Sequence, residues 1–249
     1  MSFSMLSIVN RGKLRKPLKE PHSSHSFLSD FILGSQDGLV NVLGILLGVS
    51  AATSDVRIIY VGALAALGAE SISMGAVAYT STLARRRQYQ KEVSREQLEM
   101  KQVPAKELSE VRGILKGWGY DGRTLETMTD GIASNPKAMQ EFMMSFELKL
   151  APVEKDEARR SFAVVLSSTI FGSFIPLIPF FFVTAATIAS GSIASVVISG
   201  ALLFFIGAYE ARLTVGSVWW SGLQMMIIGL SAGFAGYLIG RLVGAAPGL

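Results

Sequence analysis

Residues 161–209 read SFAVVLSSTIFGSFIPLIPFFFVTAATIASGSIASVVISGALLFFIGAY and carry no charged side chain. A bilayer core needs about 20 apolar helical residues, so a run this long is too much for one helix and enough for two. The small polar cluster Ser190, Gly191, Ser192 is the expected turn between them. Pro176 and Pro179 should kink the first helix, leaving carbonyls that a neighbour, water or an ion must satisfy. Working outward, the charge lies elsewhere. Of 23 basic and 19 acidic residues in the 249-residue chain, 15 basic and 13 acidic ones fall within residues 85–160. Half of the residues are hydrophobic and 17% are charged, against about 25% in a typical soluble domain. The pattern is that of a membrane protein with one polar insert.

Upstream, Asp30 is placed to cap a first span over residues 31–53, and residues 58–83 make a second, ended by Arg85, Arg86 and Arg87. Basic residues flank these two spans on one side, which the positive-inside rule assigns to the cytoplasm. Residues 1–29 then form an uncleaved cytoplasmic tail with five basic residues between Arg11 and Lys19, and residues 30–84 hold spans one and two. Residues 161–249 hold spans three to five. Glu210 and Arg212 mark a short cytoplasmic return, residues 218–240 form the fifth span, and Arg241 lies beyond it. Five spans put the termini on opposite faces. Glycines such as Gly34, Gly38, Gly44 and Gly48 in the first span, and Gly229, Gly233, Gly236 and Gly240 in the last, predict close helix packing and a subunit contact, although glycine is also simply common in membrane helices.

The insert, residues 85–160, reads as helical. Its first helix continues out of span two to about Lys101, Pro104 opens a second to about Lys116, and Gly117 to Gly122 form a turn cluster. A short helix follows near Thr124 to Asp130, and Asn135 caps a last one running to about Leu150.

Two acids fall inside the spans, Asp37 and Glu70. A carboxylate in hydrocarbon costs a few kcal/mol, so such groups normally face a cavity and hold an ion or a proton. Met74 lies one turn beyond Glu70, so a thioether and a carboxylate can share a cavity, a mixture suited to a borderline cation such as ferrous iron. The alternative is an Asp37 that only bonds a neighbouring helix and a Met74 that fills space. In the insert, Glu92, Glu96 and Glu99 stack on one helical face, Glu107 and Glu110 repeat the three-residue spacing, and Met143, Met144 and Glu147 close the last helix. Converging carboxylates and thioethers would make a metal-docking site; a solvated charged face paired through Lys91, Arg95 and Lys106 is the plainer reading.

The exclusions are firm. With no cysteine there is no disulfide framework, thiolate zinc site, cysteine-ligated iron–sulfur cluster or c-type haem, and the two histidines, His22 and His25, sit near the N-terminus. No phosphate loop, nucleophile elbow, zinc-protease motif or Glu-x-x-His di-iron pair occurs, so no enzyme and no prosthetic group is expected. The net charge of +4 lacks the aromatic-interleaved basic surface of a nucleic-acid binder.

The residues resemble the vacuolar iron transporter family, which includes yeast-type vacuolar iron and manganese carriers and plant nodulin-like relatives. The resemblance rests on three stretches: DFILGSQDGLVN from Asp30 to Asn41, SISMG from Ser71 to Gly75, and GSFIPLIP from Gly172 to Pro179. It implies an all-α membrane protein, a homodimer with five transmembrane helices and a cytoplasmic three-helix metal-binding domain inserted between spans two and three. Its implied activity is export of ferrous iron or manganese from the cytosol in exchange for protons; carboxylate and thioether ligands accept zinc and cobalt as well, so the ligand types do not rank these metals. Matched position by position, the resemblance assigns metal binding in the insert to Glu96, Glu99, Glu107, Glu110, Met143, Met144 and Glu147. Asp37 and Met74 match residues that hold the passing ion, and Asp30 an acid at the cytoplasmic mouth. One position departs: the family's span-two glutamate lies eight residues before the methionine, where this chain has Ala66, and Glu70, one turn on, is the candidate substitute. The expected location is an inner or plasma membrane in a prokaryote and a vacuolar membrane in a eukaryote. A membrane-anchored metal sensor or store without transport, and a metal-independent permease, are the rival readings.

Overall fold

The computed structural model describes residues 24–213 and 216–244, and every regular element among them is helical. In chain order these are α1 (Ser24–Ala52), α2 (Val56–Gln102), α3 (Pro104–Gly117), α4 (Gly122–Ala133), α5 (Pro136–Phe142), α6 (Glu157–Leu177), α7 (Ile188–Leu213) and α8 (Val218–Gly244). A π-turn, Met143–Glu147, continues α5, and two short 3-10 turns, Ile178–Phe182 and Ala185–Thr187, join α6 to α7. Helices α1, α2, α6, α7 and α8 are long and apolar enough to cross a membrane, making this a multi-pass integral membrane protein. The tail and its basic residues up to position 23 lie outside the described residues.

Helix α1 is the central member, in contact with α2, α6, α7 and α8. Side chains the size of hydrogen allow this. A Cβ on Gly172 would overlap the Ser35 carbonyl, and one on Gly240 the Gly48 carbonyl. The glycines of the first and last spans thus hold α1 against α6 and α8 of the same chain. Helices α2 and α8 are the outer members: only 17% of the most apolar window of each is buried, against 44% for α1 and α6.

Several boundaries differ from the sequence expectation. Helix α1 begins at Ser24, so Asp30 lies within its second turn and is not a cap. The reversal between α6 and α7 falls at Val183 and Thr184, while Ser190, Gly191 and Ser192 belong to α7. Pro179 has no N–H to continue the α-helical ladder, and the chain tightens there into a 3-10 turn. The small residues instead serve packing: Ser192 meets Ser50 of α1 at 3.2 Å. Of the carbonyls that the prolines leave without their usual N–H, that of Ile175 accepts from the Ile178 N–H; further along, the Ser195 hydroxyl donates to the Pro176 carbonyl at 2.6 Å, and the Tyr60 hydroxyl donates to the Phe180 carbonyl. Glu210 and Arg212 fall in the last turns of α7, not in a link, and Arg241 is inside α8.

Helix α2 runs unbroken from its cap, where the Asp55 carboxylate accepts from the Arg57 N–H at 2.8 Å, to Gln102. Its 47 residues span about 70 Å, more than twice the roughly 30 Å hydrocarbon thickness, so its charged half beyond Arg85 stands clear of the bilayer. That half, with α3, α4 and α5, forms the insert. Gly119 and Gly122, both at positive φ, turn the chain between α3 and α4, and the Asn135 carboxamide oxygen caps α5 by accepting from Lys137 and Ala138. Val111, Leu115, Leu125, Met139, Phe142 and Met143 form the insert's core.

Candidate metal sites along one helix

The first site lies between α1 and α2. Asp37 and Asn41, one turn apart on α1, face Glu70 of α2. The Asn41 amide donates to Glu70 Oε1, and the Asp37 carboxyl is close enough to Glu70 to interact with it. Glu70 Oε2 is buried and has no hydrogen-bond partner. Two carboxyls meeting around an oxygen without a donor form an arrangement that a shared proton or a cation would complete.

Asn41 and Glu70 stand at the inner end of a groove of about 780 Å³ between α1, α2 and α8. It passes Gly44, Gly48 and Gly236 and reaches Thr53, Ile58 and Val243 at the end of the bundle opposite the insert. Ala66 lines the same groove, so the carboxylate at position 70 is presented one turn along the wall from it. Asp37 and Met74 are not part of the groove wall, and each lies one turn from Asn41 or Glu70 on the side toward the insert. Asp30, two turns before Asp37 on the same face of α1, is half-buried. Asn41 is the functional candidate that sequence reasoning did not single out; its i+4 spacing from Asp37 was the available signal.

The second site is in the insert. Glu96 of α2 is 3% exposed and Glu107 of α3 is fully buried. Glu96 Oε2, both oxygens of Glu107 and Glu147 Oε2 are buried without hydrogen-bond partners. Burial first, and then the surrounding Glu107 and Glu147 carboxylates, push the Glu96 carboxyl up to about 7. Burial likewise raises Glu107 and Glu147, each further lifted by Glu110. The rim is compensated differently. Arg95 pairs with Glu99 at 2.8 Å and with Glu92 at 3.6 Å, and Lys106 reaches Glu110 at 3.0 Å and Glu99 at 3.9 Å. The Arg95 hydrogen bond holds the Glu99 carboxyl below its ordinary value. The structure therefore divides the predicted glutamates into a buried, uncompensated set (Glu96, Glu107, Glu147) and a salt-bridged rim (Glu92, Glu99, Glu110). Among the described residues no three acidic or histidine side chains stand together as a finished metal shell, so a cation would have to draw these glutamates inward.

The two methionines differ. Met143 belongs to the insert's apolar core; Met144, equally buried, lies outside that cluster. Both sit in the π-turn, where an α-helix was expected to continue to about Leu150. The turn closes through Leu148 N–H to the Met143 carbonyl at 3.0 Å and Leu150 N–H to the Met144 carbonyl at 2.8 Å, with Lys149 at φ 53°. Such turns occur mostly as single insertions in helices, often at functional positions.

The VIT family model matches residues 28–241, most of the chain and both acidic sites. The chain belongs to the VIT family. Among relatives, Vacuolar iron transporter 2 of Oryza sativa subsp. japonica is 33% identical over 214 residues, 86% of each chain. Vacuolar iron transporter 1 of Arabidopsis thaliana is 30% identical over 234 residues, 92% of this VIT chain and 93% of its own. Protein CCC1 of Saccharomyces cerevisiae is 24% identical over 225 residues, covering 87% of this chain and 69% of its own.

Proposed function

We propose that this VIT-family protein exports ferrous iron, with manganese as a second cargo, from the cytosol, and that protons return by the same carboxylates. The observation that carries this reading is that both uncompensated acidic sites lie on one continuous helix, Glu70 within the bilayer and Glu96 beyond it. Metal is captured by Glu96, Glu107 and Glu147, with Glu99, Glu110, Met143 and Met144 around them, on the cytoplasmic side. It passes the mouth acid Asp30 to Asp37, Glu70 and Met74, and leaves along the α1–α2–α8 groove. A carboxylate does not readily hold a proton and a cation together, and this exclusion supplies the coupling. A second copy, seated on the open α2 and α8 faces, closes the groove into a passage on the dimer axis. The Oryza and Arabidopsis relatives are named vacuolar iron transporters; we assign this carrier to the vacuolar membrane in a eukaryote, and to the plasma or inner membrane in a prokaryote. The activity is transport, not catalysis.

The test is ferrous-ion flux into proteoliposomes with and without a pH gradient. Asp37→Ala should abolish flux while calorimetry of the full-length variant still shows metal binding by the insert. Continued flux through Asp37→Ala would refute the path. Absence of flux in the unmodified protein, with binding intact, would leave a metal sensor or store as the function.

A further inference from the structure

A second cavity, of about 810 Å³, lies on the other side of α1, between α1, α7 and α8. It shares only Thr53 with the groove described above. Its volume is in the range of about 300–1,000 Å³ typical of ligand sites. Its wall is sorted by depth. Ser50, Ser192, Tyr237 and Arg241 line the part at the bundle end opposite the insert, and Val196, Val197, Leu230 and Phe234 line the part that runs inward. The polar end is ordered, because the Ser50 and Ser192 hydroxyls already bond each other at 3.2 Å.

Arg241 is out of place by the charge pattern of the rest of the chain. The arginine-rich helix ends, Arg85 to Arg87 on α2 and Arg159 and Arg160 on α6, are at the insert end, so the positive-inside rule gives no reason for a cation here. No ion pair is made by Arg241 among the described residues. A cation with hydroxyl groups beside it, above an apolar trough open to the bilayer, complements one class of molecule: an anionic headgroup carrying an acyl chain.

We propose that the crevice between α1, α7 and α8 binds one anionic phospholipid, its phosphate held by Arg241 and the neighbouring hydroxyls and one acyl chain lying along Val197, Leu230 and Phe234. The site is separate from both acidic sites and does not depend on the transport reading. Bound there, the lipid bridges α7, α8 and the end of α1 on the side of α1 away from the α1–α2–α8 groove.

The test uses the full-length protein, delipidated in detergent, with phosphatidylglycerol, phosphatidylcholine of the same chains, and inorganic phosphate as probes. Thermal unfolding and native mass spectrometry read the binding. Phosphatidylglycerol should bind about five-fold more tightly than phosphatidylcholine, as one basic contact near a membrane surface provides, and phosphate alone should not stabilise. Arg241→Gln should remove the preference, and Arg57→Gln, a cation of the same bundle end outside the crevice, should keep it. An arginine that merely reaches interfacial water would give equal binding of the two lipids, and that result overturns the proposal, as does a preference that survives Arg241→Gln. Should Arg241→Gln not fold, phosphatidylglycerol with a photoreactive acyl chain decides on the unmodified protein: labelling of Val197 or Phe234 supports the site, and labelling confined elsewhere overturns it.

Discussion

Asp37 and Glu70 come from different helices, 33 residues apart in sequence, and the Glu70 carboxylate is held by Asn41, whose amide donates to one of its oxygens and leaves the other without a donor. Asn41 positions the carboxylate, so Asn41→Ala should weaken metal binding at the membrane site by about 10–100-fold, as loss of an orienting partner does elsewhere, with little change in the insert's binding. Separate titrations of the two sites check this. In the insert the informative residue is Glu96. Its carboxyl is raised to about 7, above the ordinary carboxylate value, so the protonated form is favoured in the folded protein. Stability from this group is complete at acid pH, below its unfolded value, and is lost as pH rises to about 7. Metal, which requires the deprotonated form, competes with that proton. Calorimetry in buffers of differing ionisation enthalpy should show proton release on metal binding, and below pH 7 the deprotonation of Glu96 should lower apparent affinity by about tenfold per pH unit. A pH-independent affinity between 5 and 7 would remove Glu96 from the site. The pair Asp37 and Glu70 was legible as two acids in apolar helices. The division of the insert's glutamates was not, because helical spacing shows which carboxylates share a face but not which of them Arg95 and Lys106 neutralise.

At the scale of elements, the π-turn after α5 decides how two adjacent methionines are used. Met143 packs with Val111, Leu115 and Phe142, so Met143→Ala should cost about 2–5 kcal/mol and lower the thermal midpoint. Met144 lies outside that core cluster, and Met144→Ala should reduce metal affinity more than Met143→Ala while lowering the midpoint less. Equal destabilisation with unchanged metal binding in both would make the two interchangeable filling. The sequence presented the segment as one helix capped by Asn135 and running to about Leu150, which holds for α5 but not for the π-turn that follows. A π-turn has no compositional signature to read, since it is set by the tertiary fit of its side chains. Proline gave a similar lesson in α6. Pro176 and Pro179 predicted a kink; Pro176 stays inside α6, the helix tightens to a 3-10 turn at Pro179, and the reversal lies at Thr184 because the serines and glycine that would mark a turn in water are packing residues in lipid.

For the whole molecule, the arrangement that matters is a tight inner set of helices and two open outer faces. Gly48 and Gly240 admit α1 and α8 to backbone contact, so Gly240→Val should prevent the bundle from assembling, seen as aggregation instead of a monodisperse peak in detergent. The α2 and α8 faces around the groove are left for lipid or another chain. Because the protein has no cysteine, Ile239→Cys, placed in the groove wall, offers a background-free test of the proposed dimer: oxidation should yield a covalent dimer, and its absence at several neighbouring positions would leave the groove facing lipid. Five spans, the helical insert and the run-on of α2 into it were all readable from hydropathy, charge and the first helix-breaking residue, Pro104. Which helix sits in the centre was not, since glycine spacing marks close approach without naming the partner.

The uninterrupted α2 makes the protein a lever. Glu70 and Glu96 are 26 residues apart on one rod, about 39 Å along its axis, so a tilt of about 10° pivoting at Glu70 swings Glu96 sideways by about 7 Å. Such a swing is larger than the reach of any glutamate, and would open or close the cluster that Glu96 forms with Glu107 and Glu147. Under the proposed function, occupancy of the insert's cluster and of the membrane site would be geared to each other by the stiffness of a single helix.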